Sequence, residues 1–253
     1  MQSLGNRLSI LDVWVDPVDM ESALGKVQSF IEMGRKTHVI YAVNPEKTFS
    51  IPQDPSLHQA FREADLLIPD GIGVVLAARM IHGAKIARVP GVDLQAKICA
   101  RAAEKGYRVF VYGAREEVNR KAVQNMRCQY PGLQIVGRAN GYVKEEQMKG
   151  LISRINRSRP EILFVALGSP KQEMWINRHK DSFKTVRVCQ GIGGTLDTIA
   201  GTVKRAPQIW CRLSAEWLYR LLSNPRRIKR QRVLPLFACR IFFTKLRSFF
   251  NFS

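Results

Sequence analysis

Short runs of β-branched and aliphatic residues alternate along this chain with longer amphipathic stretches, and that alternation constrains the fold more than any other feature. Strands are expected at Leu8 to Val15, His38 to Val43, Leu66 to Ile68, Arg108 to Tyr112, Leu133 to Gly137, Ile162 to Leu167 and Val186 to Gln190. Helices are expected from about Asp19 to Met33 with Gly34 closing it, after Pro69-Asp70-Gly71 to about Ile81, and from about Val92 to Lys105 with a stop at Gly106. Further helices follow from Glu116 to Tyr130, from Lys144 to about Arg157, and after Pro170. Strands joined through helices of a dozen residues run parallel, because a tight hairpin would reverse the chain. The expected fold is α/β, a Rossmann-like layered parallel sheet.

In such a sheet the ligand meets the carboxyl ends of the strands. That rule selects the loops Asn44-Pro45-Glu46, Pro69-Asp70-Gly71, Gly113-Ala114, Gly168 to Glu173, and Gln190 to Thr195. Gly191, Gly193 and Gly194 let a backbone approach a ligand, and the helix start that follows, with Asp197 just inside it, favours a phosphate. A tight turn without a ligand accounts for the same residues, and neither a Walker lysine nor a full GxGxxG is present. Asp70 reads as a turn or N-cap aspartate, or as a carboxylate at the ligand edge able to act as a general base. Gly168-Ser169-Pro170-Lys171-Gln172-Glu173 is open in the same way, between capping and substrate contact. Asn44, and Arg88 in Arg88-Val89-Pro90-Gly91-Val92-Asp93, are further polar candidates.

Charge divides the chain. Of 40 Lys and Arg against 21 Asp and Glu, the last 56 residues hold 12 bases and a single acid, Glu216. Residues 1–200 read as the α/β core and 201–253 as a basic helical appendage. Its cluster Arg226, Arg227, Lys229 and Arg230 precedes a phenylalanine-rich segment in which Arg240, Thr244, Arg247 and Asn251 share one narrow helical arc, with Lys245 at its edge. A narrow polar stripe beside a wide apolar face suits a helix lying in an anionic membrane interface, with packing on the protein's own body or on a neighbouring subunit as the alternative. Nucleic acid is disfavoured, since it calls for aromatics interleaved among the bases on an exposed sheet. Five cysteines and four histidines show neither CxxC spacing nor i, i+3 or i, i+4 histidine pairs, so no metal and no disulfide framework is expected. No run of about 18 apolar residues and no signal region is found, and a cytosolic setting is expected.

The motifs Asn44-Pro45-Glu46, Pro69-Asp70-Gly71-Ile72-Gly73, Arg88-Val89-Pro90-Gly91-Val92-Asp93, Gly168-Ser169-Pro170-Lys171-Gln172-Glu173, Gly193-Gly194-Thr195-Leu196-Asp197, Val203-Lys204-Arg205-Ala206-Pro207 and Glu216-Trp217-Leu218-Tyr219-Arg220-Leu221 occur in this order. Together they resemble the WecG/TagA/CpsF family of bacterial glycosyltransferases over nearly the whole chain, nearest the N-acetylmannosaminuronic acid transferase type. The resemblance implies an inverting, metal-independent enzyme at the cytoplasmic face of the membrane. Such an enzyme moves a sugar, N-acetylmannosaminuronate or N-acetylmannosamine, from a UDP-sugar to a polyprenyl-diphosphate-linked saccharide. Enterobacterial common antigen and teichoic acid are the family's known products. It implies Asp70 as base, with Asn44, Arg88 and Gln172 at the site. Gly113, Gly191, Gly193, Gly194 and Asp197 are taken for the donor, and Arg226, Arg227, Lys229 and Arg230 for the acceptor and membrane. Some members carry a threonine two residues before the motif asparagine; here Ala42 stands there. A UDP-glucose transferase for an exopolysaccharide, and a non-enzymatic basic anion-binding protein, are the alternatives, and homo-oligomer formation is left open.

Overall fold

Leu8 to Val15 folds as two strands rather than one, β1 (Leu8–Ile10) and β2 (Val13–Val15), paired antiparallel. Leu11 and Asp12 between them both take positive φ, 48° and 63°, which reverses the chain in two residues. Aspartate tolerates that conformation, whereas leucine gives no sign of it, so the alternation read as one straight strand. The computed structural model that reveals this describes residues 7–212, 215–223 and 232–250.

The remaining strands are β3 (His38–Val43), β4 (Leu66–Pro69), β5 (Arg108–Gly113), β6 (Gln134–Ala139), β7 (Ile162–Ala166) and β8 (Val188–Gly191). They form one six-stranded sheet in the order β4-β3-β8-β7-β5-β6, and every adjoining pair is parallel. The Rossmann-like layered α/β fold is thus what the chain adopts. β7 is buried at all five positions, as expected of a central strand covered on both faces. The hairpin lies beside edge strand β4: Asp16 N–H donates to the Leu67 carbonyl at 2.9 Å, and Leu67 N–H donates back to Asp16 Oδ2 at 2.6 Å. This contact satisfies edge groups of β4 that a bare edge would expose.

One face of the sheet is covered by α2 (Lys47–Ser50), α3 (Pro55–Glu63), α4 (Ile72–His82), α7 (Glu145–Ser158) and α8 (Lys171–His179), the other by α1 (Met20–Met33), α5 (Gly91–Lys105), α6 (Glu116–Gln129) and α9 (Thr195–Ile199). Asp19 is the N-cap of α1, in a capping box with Ser22. Gly34 ends α1 in extended rather than left-handed backbone, whereas Gly106 ends α5 at φ 74° as a left-handed cap. Leading out of neighbouring strands, the chain passes to opposite faces: after β3 to α2, after β8 to α9, after β7 to α8, after β5 to α6. Crevices open between such diverging neighbours, at the carboxyl edge.

Beyond α9 come α10 (Gln208–Arg212), α11 (Glu216–Ser223) and a last helix, Val233–Phe250. That helix packs against α4 and buries Phe237 and Ile241 in the core. Its opposite side exposes Leu236, Phe242 and Phe243. Arg226, Arg227, Lys229, Arg230 and Asn251 lie outside the described residues. Five free thiols complete the picture; burial pushes that of Cys99 up to about 12.

Gly113 is required where β5 meets β7. Its φ is 127°, and a Cβ there would fall 2.3 Å from the carbonyl oxygen of Ala166. We expect Gly113→Ala to destabilise the protein by about 3 kcal/mol from backbone strain and overlap together, measured as a lowered urea midpoint with an unchanged slope.

Candidate active site

Parallel pairing sets the first half of the site. Val43 and Pro69 are register partners, so Asn44 and Asp70 leave β3 and β4 side by side. Asp70 N–H donates to the Val43 carbonyl at 3.0 Å and carries the ladder one residue further. Gly71 permits the approach of the two loops: a Cβ there would sit 2.8 Å from Pro45 Cδ and 3.2 Å from Asn44 Cβ. One oxygen of the Asp70 side chain, Oδ1, accepts the Gly91 N–H at 2.9 Å, at the start of α5. Arg88 Nε donates to the Asp70 carbonyl oxygen at 2.8 Å. Asn44 Oδ1 accepts the Lys47 N–H at 3.1 Å and so caps the turn that opens α2. Ala42 lies below, 3.7 Å from where a Gly91 Cβ would be.

The second half forms at the ends of β7 and β8. Gly168 has φ 77°, and α8 begins directly after Pro170. Gln172, on the first turn, is buried; its Oε1 accepts the Gly193 N–H at 2.9 Å, and its Nε2 donates to Glu173 Oε1 at 3.2 Å. Gly191 must be small because Gln172 Nε2 lies 2.8 Å from its would-be Cβ. Gly193 needs glycine for another reason: its φ is 51°, and the space on its Cβ side is open. Gly194 precedes α9, which is only five residues long. Asp197 closes the turn beyond α9, its carbonyl accepting from Thr202 N–H at 3.0 Å and Val203 N–H at 3.1 Å.

Asn44, Asp70 and Arg88 are therefore together, and Gln172 is together with Gly191, Gly193 and Gly194. Gly113 stands two strands from Gly191, with β7 between them, a separation of about 10 Å at ordinary strand spacing. Lys47 links the halves, since its ammonium lies 2.5 Å from Glu173 Oε1. A buried lysine three residues into a turn carries no sequence signal. Glu216 is the other residue that motif reading left without a role. It is buried, and its Oε2 lies 3.2 Å from Arg88 Nη2, so α11 docks onto the Asp70 loop through Arg88. Being the one acid among 12 bases of the last 56 residues was its signal. Arg205 likewise pairs with Asp93 on the first turn of α5. A cavity of about 520 Å³ opens elsewhere, between α6 and edge strand β6, where Arg127 donates to the Ile135 carbonyl and Arg138 pairs with Glu116.

This geometry holds a carboxylate, a carboxamide and a guanidinium at one strand edge, a set suited to moving a proton beside an anionic group. The glycosyl transferase WecG/TagA/CpsF family model matches residues 8–250. The chain belongs to that family. It is similar to the N-acetylglucosaminyldiphosphoundecaprenol N-acetyl-beta-D-mannosaminyltransferase of Bacillus spizizenii, at 36% identity over 82% of this chain and 79% of the relative. The protein of the same description from Bacillus subtilis is 37% identical over 79% of this chain and 77% of that one. The chain is thus a glycosyltransferase, with both loop clusters at the edge where a Rossmann-like sheet receives its ligand.

Arg88 and Glu216 are each mostly shielded from water, so their attraction is weakly screened and removing either one takes a close charge partner from the other. A double-mutant cycle of Arg88→Met and Glu216→Gln, followed by urea unfolding, is expected to give a coupling on the order of 1–3 kcal/mol. Strictly additive losses would show that the pair does not hold α11 to the core.

Proposed function

We propose that this protein transfers an N-acetylmannosaminyl group from a UDP-sugar to a polyprenyl-diphosphate-linked N-acetylglucosamine, with inversion, in the synthesis of a surface polysaccharide. The observation that carries the reading is the meeting of Asp70, Asn44 and Arg88 at one strand edge in a chain of this family. Mannosaminyl transfer, named for both Bacillus relatives, favours N-acetylmannosamine over its uronate.

In the proposed step the Asp70 carboxylate takes the proton from an acceptor hydroxyl as that oxygen attacks the anomeric carbon. The bond from that carbon to the diphosphate breaks on the opposite side, and UDP leaves with the electron pair. One displacement inverts the centre. Charge growing on the diphosphate has to be met by fixed dipoles and cations. The Gly194 backbone amide in the glycine turn, and the N–H donors of Arg88 that neither the Asp70 carbonyl nor Glu216 occupies, are the groups proposed for it. No metal is needed in this scheme. Asn44 and Gln172 line the two sides and would restrict how sugar and hydroxyl meet, a positioning contribution.

Gly91 N–H binds a side-chain oxygen of Asp70 that asparagine also supplies, so Asp70→Asn preserves the loop while removing the base. Transfer by Asp70→Asn should fall by about a thousandfold or more, within the range of general-base effects, with UDP affinity by calorimetry close to wild type. Near-normal turnover would remove Asp70 as the base. The assay is a UDP-release screen over UDP-N-acetylmannosamine, its uronate and UDP-glucose, with a short prenyl-diphosphate N-acetylglucosamine acceptor. Release from none of the three would sink the reading, and loss of transfer on adding EDTA would overturn the metal-free part of it.

We also propose that residues 201–253 act as an appendage that docks the enzyme peripherally on the anionic cytoplasmic face of the membrane. No helix among the described residues is long and apolar enough to cross a bilayer. What supports docking is the last helix: Phe237 and Ile241 face the core, while Leu236, Phe242 (54% exposed) and Phe243 (61% exposed) face away. Arg240 and Arg247 flank the outward apolar side, and Arg240 lies over the Phe49 ring at 5.0 Å. The double change Phe242→Glu, Phe243→Glu should abolish flotation with vesicles containing anionic lipid while UDP binding stays as it is. Unchanged flotation would rule this face out as the docking surface.

A further inference from the structure

The transfer scheme gives Lys47 and Glu173 no task, yet they form the charged contact that joins the two loop clusters. Glu173 is 0% exposed and Lys47 is 8% exposed. The Lys47 ammonium stands 4.7 Å from the centre of the Phe61 ring, and the Tyr41 hydroxyl donates to the Glu173 carbonyl oxygen at 3.1 Å. Burying such a pair costs both ions their hydration, and apolar residues of equal volume often stabilise a fold as well or better. What the pair orients is therefore the question to ask of it.

Oε1 of Glu173 receives Lys47 Nζ at 2.5 Å and Gln172 Nε2 at 3.2 Å. A carboxylate only accepts, so the amide nitrogen of Gln172 has to face Glu173, and its oxygen faces the Gly193 N–H, 2.9 Å away. The reversed amide would set oxygen against carboxylate and NH2 against N–H. Gln172 in turn packs against Gly191, where its nitrogen fills the place of a Cβ. On the other side, the backbone amide of Lys47 donates to Asn44 Oδ1. An unbroken path of contacts thus runs from Asn44 through Lys47, Glu173 and Gln172 to the glycine turn.

We propose that Lys47 and Glu173 are positioning residues of the transfer reaction: their ion pair fixes the Gln172 amide and, through it, the shape of the Gly191 to Thr195 turn at the donor side. The turn's ligand rests on the UDP-sugar reading above; the relay itself does not. Glu173 Oε2 is buried and has no hydrogen-bond partner among the described residues, so the side-chain contacts that aim the carboxylate converge on Oε1.

The test uses the full chain and three variants: Glu173→Gln, Glu173→Asp, and Lys47→Met with Glu173→Gln. Hydrogen exchange at the Gly193 amide reads the relay directly, and the KM for UDP-N-acetylmannosamine reads its consequence. Glu173→Gln and the double variant should each speed Gly193 exchange and raise KM by about tenfold or more, the scale of one lost charge-assisted hydrogen bond, with a smaller change in kcat. Glu173→Asp should recover part of both. The double variant, with no unpaired buried charge, should regain most of the thermal midpoint that Glu173→Gln loses, but not the KM. Wild-type exchange at Gly193 in the double variant, or a wild-type KM there, overturns the relay. If the unmodified chain transfers no sugar, the donor reading has failed, and Gly193 exchange alone still decides the relay.

Discussion

An ammonium and a carboxylate taken out of water cannot drift apart, because each would be left uncompensated in an apolar interior. Lys47 belongs to the turn after β3 and Glu173 to the helix after β7, and β8 lies between those strands. Their contact spans the middle of the sheet's carboxyl edge, so the loop carrying Asn44 and the loop carrying Gln172 hold one relative placement. The rest follows by shorter reach. Register puts Asp70 beside Asn44, Gly71 lets the loops close, and Gly91 N–H turns the Asp70 carboxylate. Each step uses backbone geometry that the parallel sheet supplies.

Much of this was legible in the sequence. Alternating runs with long connections call for a parallel sheet, and the rule for such sheets selects the loops at Asn44, Asp70, Gln172 and Gly191. The hairpin at Leu11 and Asp12 was not legible, since nothing in a leucine announces positive φ. α2 and α3 carry little sequence signal either: the apolar residues between Asn44 and Leu66 repeat over too short a stretch, and Asp54 as a cap with Pro55 behind it is the one sign of α3. The pairings Lys47–Glu173, Arg88–Glu216 and Arg205–Asp93 join residues 112 to 128 apart, and no local pattern encodes such distances.

Those pairings change the meaning of the chain's charge. A formal +19 counts every lysine and arginine alike. At the strand edge Lys47, Arg88 and Arg205 are each matched by an acid, so their effect on an incoming anion is one of shape and donor placement more than bare attraction. The outward side of the last helix differs: Phe242 and Phe243 are exposed there, and the exposed Arg240 and Arg247 run along one border of it. The basic surplus thus divides into cations spent on architecture and cations turned toward the surroundings.

The strand order has a consequence for how the protein is made. β3 pairs on one side with β4, close behind it in sequence, and on the other with β8, through His38 and Val188. During synthesis that second side of β3 stays open until the 150 residues from His38 to Val188 have followed it out of the ribosome. The crevice between β3 and β8 is therefore among the last parts of the molecule to close, because a long loop must be paid for in entropy before the pairing returns anything. A nascent chain that has already built the Asn44 and Asp70 loops still lacks the wall that Gly191 provides, so the catalytic edge comes into being only when the sheet itself is finished.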